Sequence, residues 1–229
     1  MCGVCGCGET TTISVEQDIL SENKQYAKKN SQLFIEKNML VINIMSSPGS
    51  GKTTLLTKTL SDLKNKLKSA VIVGDQQTEC DANQLKSTGV DAIQINTGKV
   101  CHLDAHMIGH ALEKLPINND MTLFIENIGN LVCPVLFDLG EQYKVVMLSV
   151  TEGDNKPLKY PDMFHNADLV IINKIDLLPY VNFDMDECIN NIYKVNAQAK
   201  VFKLSATTET GLQNWYDWLL ISKSQAYVN

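Results

Sequence analysis

The stretch that decides the fold is LVINIMSSPGSGKTT, residues 40–54. The apolar run over residues 40–44 is typical of a buried parallel strand, and Gly-Lys-Thr at residues 51–53 is typical of a helix start. A strand, a glycine-bearing turn and then Gly-Lys-Thr form the arrangement of a phosphate-binding loop. Ser46 stands where the usual pattern has its first glycine. An ordinary serine–glycine turn is the alternative, and the flanking strand and helix argue against it.

The residues of this loop suit phosphate chemistry. Glycines let successive backbone N–H groups curl around phosphate oxygens, and the helix N-terminus adds the positive end of its dipole. Lys52 is expected to reach the β- and γ-phosphates of a nucleotide, while the Thr53 hydroxyl holds Mg²⁺. The predicted nucleotide contacts on this loop are Gly49, Ser50, Gly51, Lys52, Thr53 and Thr54.

The composition is that of a soluble globular protein, with 44% hydrophobic and 20% charged residues among 229. This length fits one domain with an appendage. The net charge of −6 argues against nucleic acid and anionic membranes as binding partners. Because no apolar run approaches the roughly 20 residues of a membrane span and no secretory signal is visible, we expect a cytoplasmic location. Cysteines there stay reduced and act as ligands or core residues.

The first ten residues, MCGVCGCGET, carry the thiols of Cys2, Cys5 and Cys7 among glycines. Three soft thiolates at this spacing can wrap one metal ion. An α-amine freed by removal of the initiator methionine would complete a mixed nitrogen–sulfur set, which suits Ni(II) or Cu(II), whereas four sulfurs would suit zinc. Incidental cysteines are the alternative, although exposed thiols without a purpose would be an oxidation liability. We predict a flexible metal-binding tail over residues 1–10.

The stretch that follows predicts an amphipathic helix over residues 11–36, which separates the tail from a GTPase domain over residues 37–229. Its apolar residues recur at spacings of four and seven, as on one helix face. We expect this face to pack on the nucleotide domain; its members are Val15, Ile19, Tyr26, Leu33 and Phe34.

Two carboxylates are predicted at the carboxyl ends of buried strands. Asp75 follows the strand over residues 70–74, and Glu126 ends the strand over residues 121–126. Acids at such positions hold Mg²⁺ or its water shell, or orient the attacking water. For Asp75 a helix cap or turn residue is the alternative. The predicted catalytic residues are Lys52, Asp75 and Glu126, with Thr53, Asp75 and Glu126 around Mg²⁺.

Soft ligands also occur away from the tail. Cys101 and His102 are adjacent at a predicted helix start, and a thiolate beside an imidazole suits a borderline transition metal. Cys133 is a candidate third ligand, although by itself it reads as a buried structural cysteine. His102, His106 and His110 recur every four residues, as on one helix face. For His106 and His110, a metal-binding face and plain surface imidazoles remain equally open.

The sequence Asn173-Lys174-Ile175-Asp176 follows a buried strand over residues 168–172. N-K-x-D at this place is typical of guanine recognition, because the carboxylate accepts from the N1–H and the 2-amino group of guanine. Adenine lacks both donors and leaves polar groups unpaired. Ser205-Ala206-Thr207 follows the last predicted strand, residues 201–204, and is similar to the loop whose backbone amide contacts guanine O6. The predicted base contacts are Asn173, Lys174, Asp176, Ser205 and Ala206.

The order and spacing of these motifs resemble a GTPase domain over nearly all of residues 37–222. S-S-P-G-S-G-K-T-T, E-N-I-G-N-L-V-C-P and the N-terminal C-x-x-C-G-C together resemble the HypB family, the nickel-incorporation GTPases of [NiFe]-hydrogenase maturation. The resemblance implies an α/β fold of the SIMIBI P-loop type, with a mostly parallel sheet flanked by helices. It also implies GTP hydrolysis with Mg²⁺ and a homodimer favoured by GTP, which works with a partner nickel chaperone and delivers nickel to the hydrogenase large subunit precursor.

Two metal sites follow from the same resemblance. The tail site corresponds to Cys2, Cys5 and Cys7. The second site corresponds to Cys101, His102 and Cys133, shared across the dimer interface and able to hold Ni²⁺ or Zn²⁺. The chain contains no arginine, so an arginine finger within the chain is impossible. We therefore expect slow hydrolysis, on the order of 10⁻³ to 10⁻² per second.

Three other functions are alternatives. A urease accessory GTPase is disfavoured because that family lacks the cysteine tail and has Cys-Pro-His, whereas Val135 follows Pro134 here. A metal storage or sensing module would use the nucleotide only structurally. A small-molecule kinase is disfavoured by N-K-I-D.

Overall fold

The computed structural model describes residues 9–75 and 80–226, with the side chains of residues 9–16 and 80 left aside. The predicted tail ligands Cys2, Cys5 and Cys7 lie outside the described residues. Within that part of the chain, seven strands form one parallel sheet. They are β1 (Leu40–Ser46), β2 (Ser69–Asp75), β3 (Asp91–Asn96), β4 (Thr122–Gly129), β5 (Tyr143–Ser149), β6 (Leu169–Asn173) and β7 (Lys200–Lys203).

Helices cover both faces of this sheet, as expected for strands that are continuously apolar. The α-helices are α1 (Glu9–Glu36), α2 (Lys52–Asp62), α3 (Cys80–Lys86), α4 (Ala105–Leu112), α5 (Lys156–Lys159), α6 (Pro161–His165), α7 (Met185–Val195) and α8 (Leu212–Gln225). Short 3₁₀ helices span Cys133–Leu136 and Ile175–Tyr180. Among residues 9–75 and 80–226, no helix has the length and apolar character needed to cross a membrane.

The strand order β3-β2-β4-β1-β5-β6-β7 places β1 in the middle of the sheet. The chain fills one side of β1 with β2, β3 and β4 and then crosses to the other side with β5. A parallel sheet opens a crevice at the carboxyl ends of its strands where the winding reverses in this way. Ile44 of β1 lies opposite Glu126 of β4, so that the predicted acid stands beside the phosphate-binding loop. The predicted α/β fold with a mostly parallel sheet is confirmed.

The burial of the strands explains why continuous apolar runs in the sequence predict them. All seven residues of β1 are buried, and so are all five of β6. In α8 the indole of Trp215 is fully buried and donates from Nε1 to Thr59 Oγ1 at 2.9 Å. Trp218 is also buried, so both indoles of α8 belong to the core.

Residues 80–86 form α3, and one predicted strand is longer than expected. Ala82 and Leu85 are three positions apart and both buried, so α3 has an apolar face to bury. The strand predicted to end at Glu126 continues as β4 to Gly129.

Helix α1 packs with a face that differs from the predicted one. It begins at Glu9, two residues before the predicted start. Ile19, expected on the packed face, is 51% exposed, whereas Phe34 is fully buried as expected. Tyr26 and Leu33 are half-buried. The buried face of the described turns consists of Asn23, Ala27, Asn30 and Phe34.

The two buried asparagines explain this choice of face. Asn23 Oδ1 accepts from the backbone N–H of Ala105 at 2.8 Å, and its Nδ2 donates to the carbonyl of Asp138 at 2.8 Å. Asn30 Nδ2 donates to the carbonyls of Ala105 at 2.8 Å and Leu139 at 3.2 Å. The pair therefore holds the start of α4 and the loop before β5 against α1, since each asparagine bonds backbone groups of both segments.

Candidate functional site

A cavity of about 520 Å³ opens at the carboxyl ends of β1, β2 and β4. It combines the phosphate-binding loop with the predicted acids and one residue of the N-K-I-D motif. The residues that line it are Pro48, Gly49, Gly51, Lys52, Thr53, Thr54, Gly74, Asp75, Asp81, Gln84, Glu126, Asn127, Ile128, Gly129 and Lys174. Of the predicted loop contacts, Ser50 alone is absent from this lining, since it is fully buried beneath the loop.

The loop has the backbone of a phosphate cradle. Gly49 and Gly51 have φ angles of +72° and +101°, in the left-handed region that favours glycine. A Cβ at Gly51 would lie 2.6 Å from Asn173 Nδ2. That amide donates to the Ser50 carbonyl at 2.8 Å. The phosphate-binding loop and the end of β6 are therefore in direct contact, with no room for a side chain at Gly51.

Ser46, which stands in place of the usual first glycine, forms three hydrogen bonds within the loop. Its Oγ accepts from Lys52 Nζ at 2.8 Å and from Ser50 Oγ at 2.6 Å, and it donates to the Ser47 carbonyl at 2.6 Å. Lys52 is only 8% exposed, and burial lowers the pKa of its ammonium group while the charge of Glu126 opposes this. A glycine at this position would leave the ammonium group without this acceptor.

Glu126 is the second charged group of the cavity and is 3% exposed. Its Oε1 accepts from Thr53 Oγ1 at 2.6 Å, while its buried Oε2 has no hydrogen-bond partner among the described residues. Burial raises the pKa of Glu126 to about 7, although Lys52 and Thr53 favour the ionised form. A carboxylate oxygen without a partner beside a hydroxyl group is a donor set for a hard cation, so these residues fit Mg²⁺. Asp75 lines the same cavity.

The N-K-I-D segment meets the phosphate-binding loop through its first two residues. Asn173 Oδ1 accepts from the backbone N–H of Ala206 at 3.1 Å, which ties the Ser205–Ala206 loop to β6. Lys174 has a left-handed φ of 61°, and its Nζ donates to the Gly49 carbonyl at 2.6 Å. Asp176 Oδ1 is buried without a hydrogen-bond partner in the described part of the chain, so this acceptor is available to a ligand.

A second site forms where Cys101, His102 and Cys133 meet. One ligand atom from each lies within 4.8 Å of the others, and the two Sγ atoms are 2.7 Å apart. The His102 ring stacks on Phe137 at 3.8 Å between centroids, and its buried Nδ1 has no hydrogen-bond partner among residues 9–75 and 80–226. Burial lowers the pKa of His102, which favours the neutral, metal-binding imidazole. Two thiols and one imidazole suit a soft or borderline transition metal.

The three histidines do not share one helix face as predicted. Helix α4 begins at Ala105, so His102 lies in the loop before it. Asp104 caps this helix by accepting from the Met107 N–H at 2.8 Å, and such a cap ends the preceding loop. His106 and His110 do lie on α4, both exposed, with their Nε2 atoms 3.1 Å apart.

Two asparagines that sequence analysis did not single out hold the Cys–His–Cys cluster, and one of them also lines the nucleotide cavity. Asn127 lines the cavity, and its Oδ1 accepts from the N–H of Leu103, the residue after His102, at 3.3 Å. Asn130 Oδ1 accepts from the N–H groups of Val132 at 2.7 Å and Cys133 at 3.3 Å. The available signal was a second polar residue directly after Glu126 in a largely apolar strand.

Comparison with known proteins agrees with this arrangement. The family model for the CobW/HypB/UreG nucleotide-binding domain matches residues 40–203. The hydrogenase maturation factor HypB of Rhizobium leguminosarum bv. viciae is 54% identical over 222 residues, which are 97% of this chain and 74% of that protein.

Two solved structures are also similar. HypB from Helicobacter pylori in complex with nickel has a TM-score of 0.84 at 40% identity, covering 90% of this chain and 97% of that one. HypB from Archaeoglobus fulgidus has a TM-score of 0.82 at 41% identity, covering 89% and 99%. Because sequence identity, fold and family model agree over most of the chain, this protein belongs to the HypB family of hydrogenase maturation factors.

Proposed function

We propose that this HypB-family chain is a GTP-hydrolysing nickel metallochaperone, which binds nickel and inserts it GTP-dependently during [NiFe]-hydrogenase maturation. One observation carries the proposal: the end of β4 takes part in both sites. Glu126 and Asn127 line the nucleotide cavity, and Cys133 of the Cys–His–Cys cluster follows a few residues later. A nucleotide that moves this segment therefore acts on a nickel ligand.

The choice of GTP rests on Asp176, whose buried Oδ1 offers an acceptor to guanine donors. In hydrolysis, Lys52 holds the β- and γ-phosphates, while Thr53 and Glu126 hold Mg²⁺. Mg²⁺, when bound, neutralises charge on the phosphate oxygens. Asp75 at the end of β2 orients the attacking water directly or through the Mg²⁺ shell. Because the chain has no arginine, turnover is slow, as suits a switch.

The coupling between the two sites follows from a chain of hydrogen bonds that begins in the nucleotide cavity. The Thr53 hydroxyl donates to Glu126 at 2.6 Å and keeps its lone pairs for Mg²⁺, so an ion at Thr53 would also attract the Glu126 carboxylate. A shift of Glu126 reaches Asn127, which holds Leu103 next to His102. The cluster is built from two chain segments 32 residues apart, so a small relative displacement changes its affinity for metal.

The proposed partners follow from the surface around the cluster. Val132 and Leu136 are 57% and 58% exposed on either side of Cys133. Apolar side chains at this place support a homodimer, favoured by GTP, that shares the cluster across its interface. Nickel is the cargo, with Zn²⁺ as a second occupant of the same ligands. A partner nickel chaperone would supply the nickel, and the hydrogenase large subunit precursor would receive it.

The decisive experiment is a nickel titration of the reduced chain with GDP or a non-hydrolysable GTP analogue. We expect the nickel affinity of the Cys–His–Cys cluster to differ at least about fivefold between the two states. Asn127→Ala should reduce this difference while nucleotide still binds. Equal nickel affinity in both nucleotide states would contradict the proposal.

A metal storage or sensing module is the second candidate, because the cluster could hold metal without turnover. GTP hydrolysis that Lys52→Ala abolishes would exclude it.

Nucleotide selection is tested with Asp176→Asn, which should lower GTP affinity at least about a hundredfold and favour xanthosine triphosphate instead. If ATP competes equally with GTP in the natural chain, the guanine reading of N-K-I-D is wrong.

A further inference from the structure

Two histidines outside the Cys–His–Cys cluster converge on the exposed face of α4. His106 and His110 are one helical turn apart, and their Nε2 atoms are 3.1 Å from each other. We propose that His106 and His110 form a separate binding site for a borderline divalent transition metal such as Ni²⁺, Cu²⁺ or Zn²⁺. This proposal is independent of GTP hydrolysis.

The distance between the two nitrogens suits chelation. Metal–imidazole bonds measure about 2.0–2.1 Å, so an ion bound to both nitrogens would subtend an angle of about 95–100° between them. That angle lies between the roughly 90° of a square-planar centre and the roughly 109° of a tetrahedral one. Little rearrangement is therefore needed to admit the ion. The same separation also suits one N–H···N hydrogen bond between the two rings.

The surroundings orient both rings. Glu113 Oε2 lies 3.4 Å from His110 Nδ1, where it can accept the Nδ1 proton and leave the Nε2 lone pair of His110 for a metal. The Tyr26 ring of α1 packs on the His106 ring at 4.5 Å between centroids. Both contacts restrict rotation of the imidazoles, which lowers the entropy lost on binding.

The chemistry of the site selects the class of metal. Two neutral imidazoles bind borderline transition metals and not Mg²⁺ or Ca²⁺, which take oxygen ligands. Both histidines line a cavity of about 380 Å³, which leaves room for water molecules or a further ligand on the ion. Lys29 and Glu113, the charged residues of that cavity, bear opposite charges.

The proposed site is a neighbour of the Cys–His–Cys cluster. His106 shares a smaller cleft of about 140 Å³ with Phe137. The Phe137 ring is the one on which His102 stacks. The two metal sites are thus separate sets of ligands arranged around one aromatic side chain.

The test is a nickel titration of the full reduced chain followed by two signals. Thiolate-to-nickel absorption reports the cysteine sites, and paramagnetic broadening of imidazole NMR signals reports histidine ligands. We expect the natural chain to bind one more equivalent of Ni²⁺ than its thiolate sites account for, with broadening at His106 and His110. His106→Gln and His110→Gln should each weaken that extra equivalent at least about tenfold and leave the thiolate absorption unchanged.

His165→Gln is the matched control, since His165 is also exposed but lies on α6. Circular dichroism checks that each variant is folded. The same titration with all five candidate cysteine ligands changed to serine must retain the histidine-dependent equivalent. No extra equivalent in the natural chain, an unchanged isotherm in His106→Gln, or an equal loss in His165→Gln would each overturn the proposal.

Discussion

Replacing Glu126 by glutamine should show how much the buried carboxylate of the nucleotide site destabilises the fold as the pH rises. The carboxyl group has a pKa of about 7 in the folded protein against 4.5 when unperturbed, because it is buried. Between these values the folded protein keeps a proton that the unfolded chain has lost. The group's contribution to the free energy of unfolding is therefore fully present below about pH 4.5 and is lost as the pH rises through about 7.

The magnitude follows from the two pKa values. They differ by about 2.5, and each pKa unit is worth about 1.4 kcal/mol, so the full loss is about 3 kcal/mol. Most of it, about 2–3 kcal/mol, falls between pH 5 and pH 8. The attraction of Lys52 for the ionised carboxylate opposes the loss and is already included in the raised pKa. Glu126→Gln has the same shape but cannot ionise, so it should not show this loss.

The assay is urea denaturation of the reduced, nucleotide-free and metal-free chain at pH 5 and pH 8. Relative to the natural protein, Glu126→Gln should gain about 2–3 kcal/mol of unfolding free energy on going from pH 5 to pH 8. Glu36→Gln, at the exposed end of α1, is the control for removing a charge and should show no such change. If Glu126→Gln and Glu36→Gln respond alike to pH, the burial argument is refuted. The stabilised variant should also lose GTP hydrolysis.

Three further substitutions test the loop and the α1 interface. Gly51→Ala should abolish binding of a fluorescent GTP analogue, because the new Cβ meets the Asn173 amide at a left-handed φ; unchanged binding would contradict this. Ser46→Ala leaves the buried Lys52 ammonium group without its acceptor, and urea denaturation should show a loss of about 2 kcal/mol that shrinks when GTP supplies phosphate oxygens. A loss of the same size with and without GTP would count against this role. Asn30→Ala should destabilise the fold by about 1–3 kcal/mol, because the carbonyls of Ala105 and Leu139 lose a buried side-chain donor, whereas exposed Lys28→Ala should change stability by less than about 0.5 kcal/mol.

Much of the nucleotide site could be predicted because its chemistry is local. The backbone of the phosphate-binding loop needs glycine at Gly51, and the buried strand before it needs continuous apolar residues. Both requirements concern residues that are adjacent along the chain, so they can be recognised from the sequence. Asp176 stayed a prediction of the same kind, since its motif is four residues long.

The packed face of α1 shows where such reasoning stops. Apolar spacing pointed to Ile19, which is exposed, whereas Asn23 and Asn30 are buried. A buried asparagine needs hydrogen-bond partners, and those of Asn30 lie 75 and 109 residues further along the chain. No pattern within α1 contains that information. The face became apparent only once the start of α4 and the loop before β5 were in place.

By itself, the sequence determined the parallel sheet, the phosphate-binding loop and the identity of the candidate ligands, because each depends on residues adjacent along the chain or on a regular spacing. Only the tertiary structure decided which ligands meet. It brings Cys133 to Cys101 and His102. It places His106 next to His110 on α4, away from His102 in the preceding loop. It also links the nucleotide cavity to the Cys–His–Cys cluster through Asn127. The physical reason is that these contacts depend on how β4 and α4 are placed relative to each other. That placement results from the packing of the whole core.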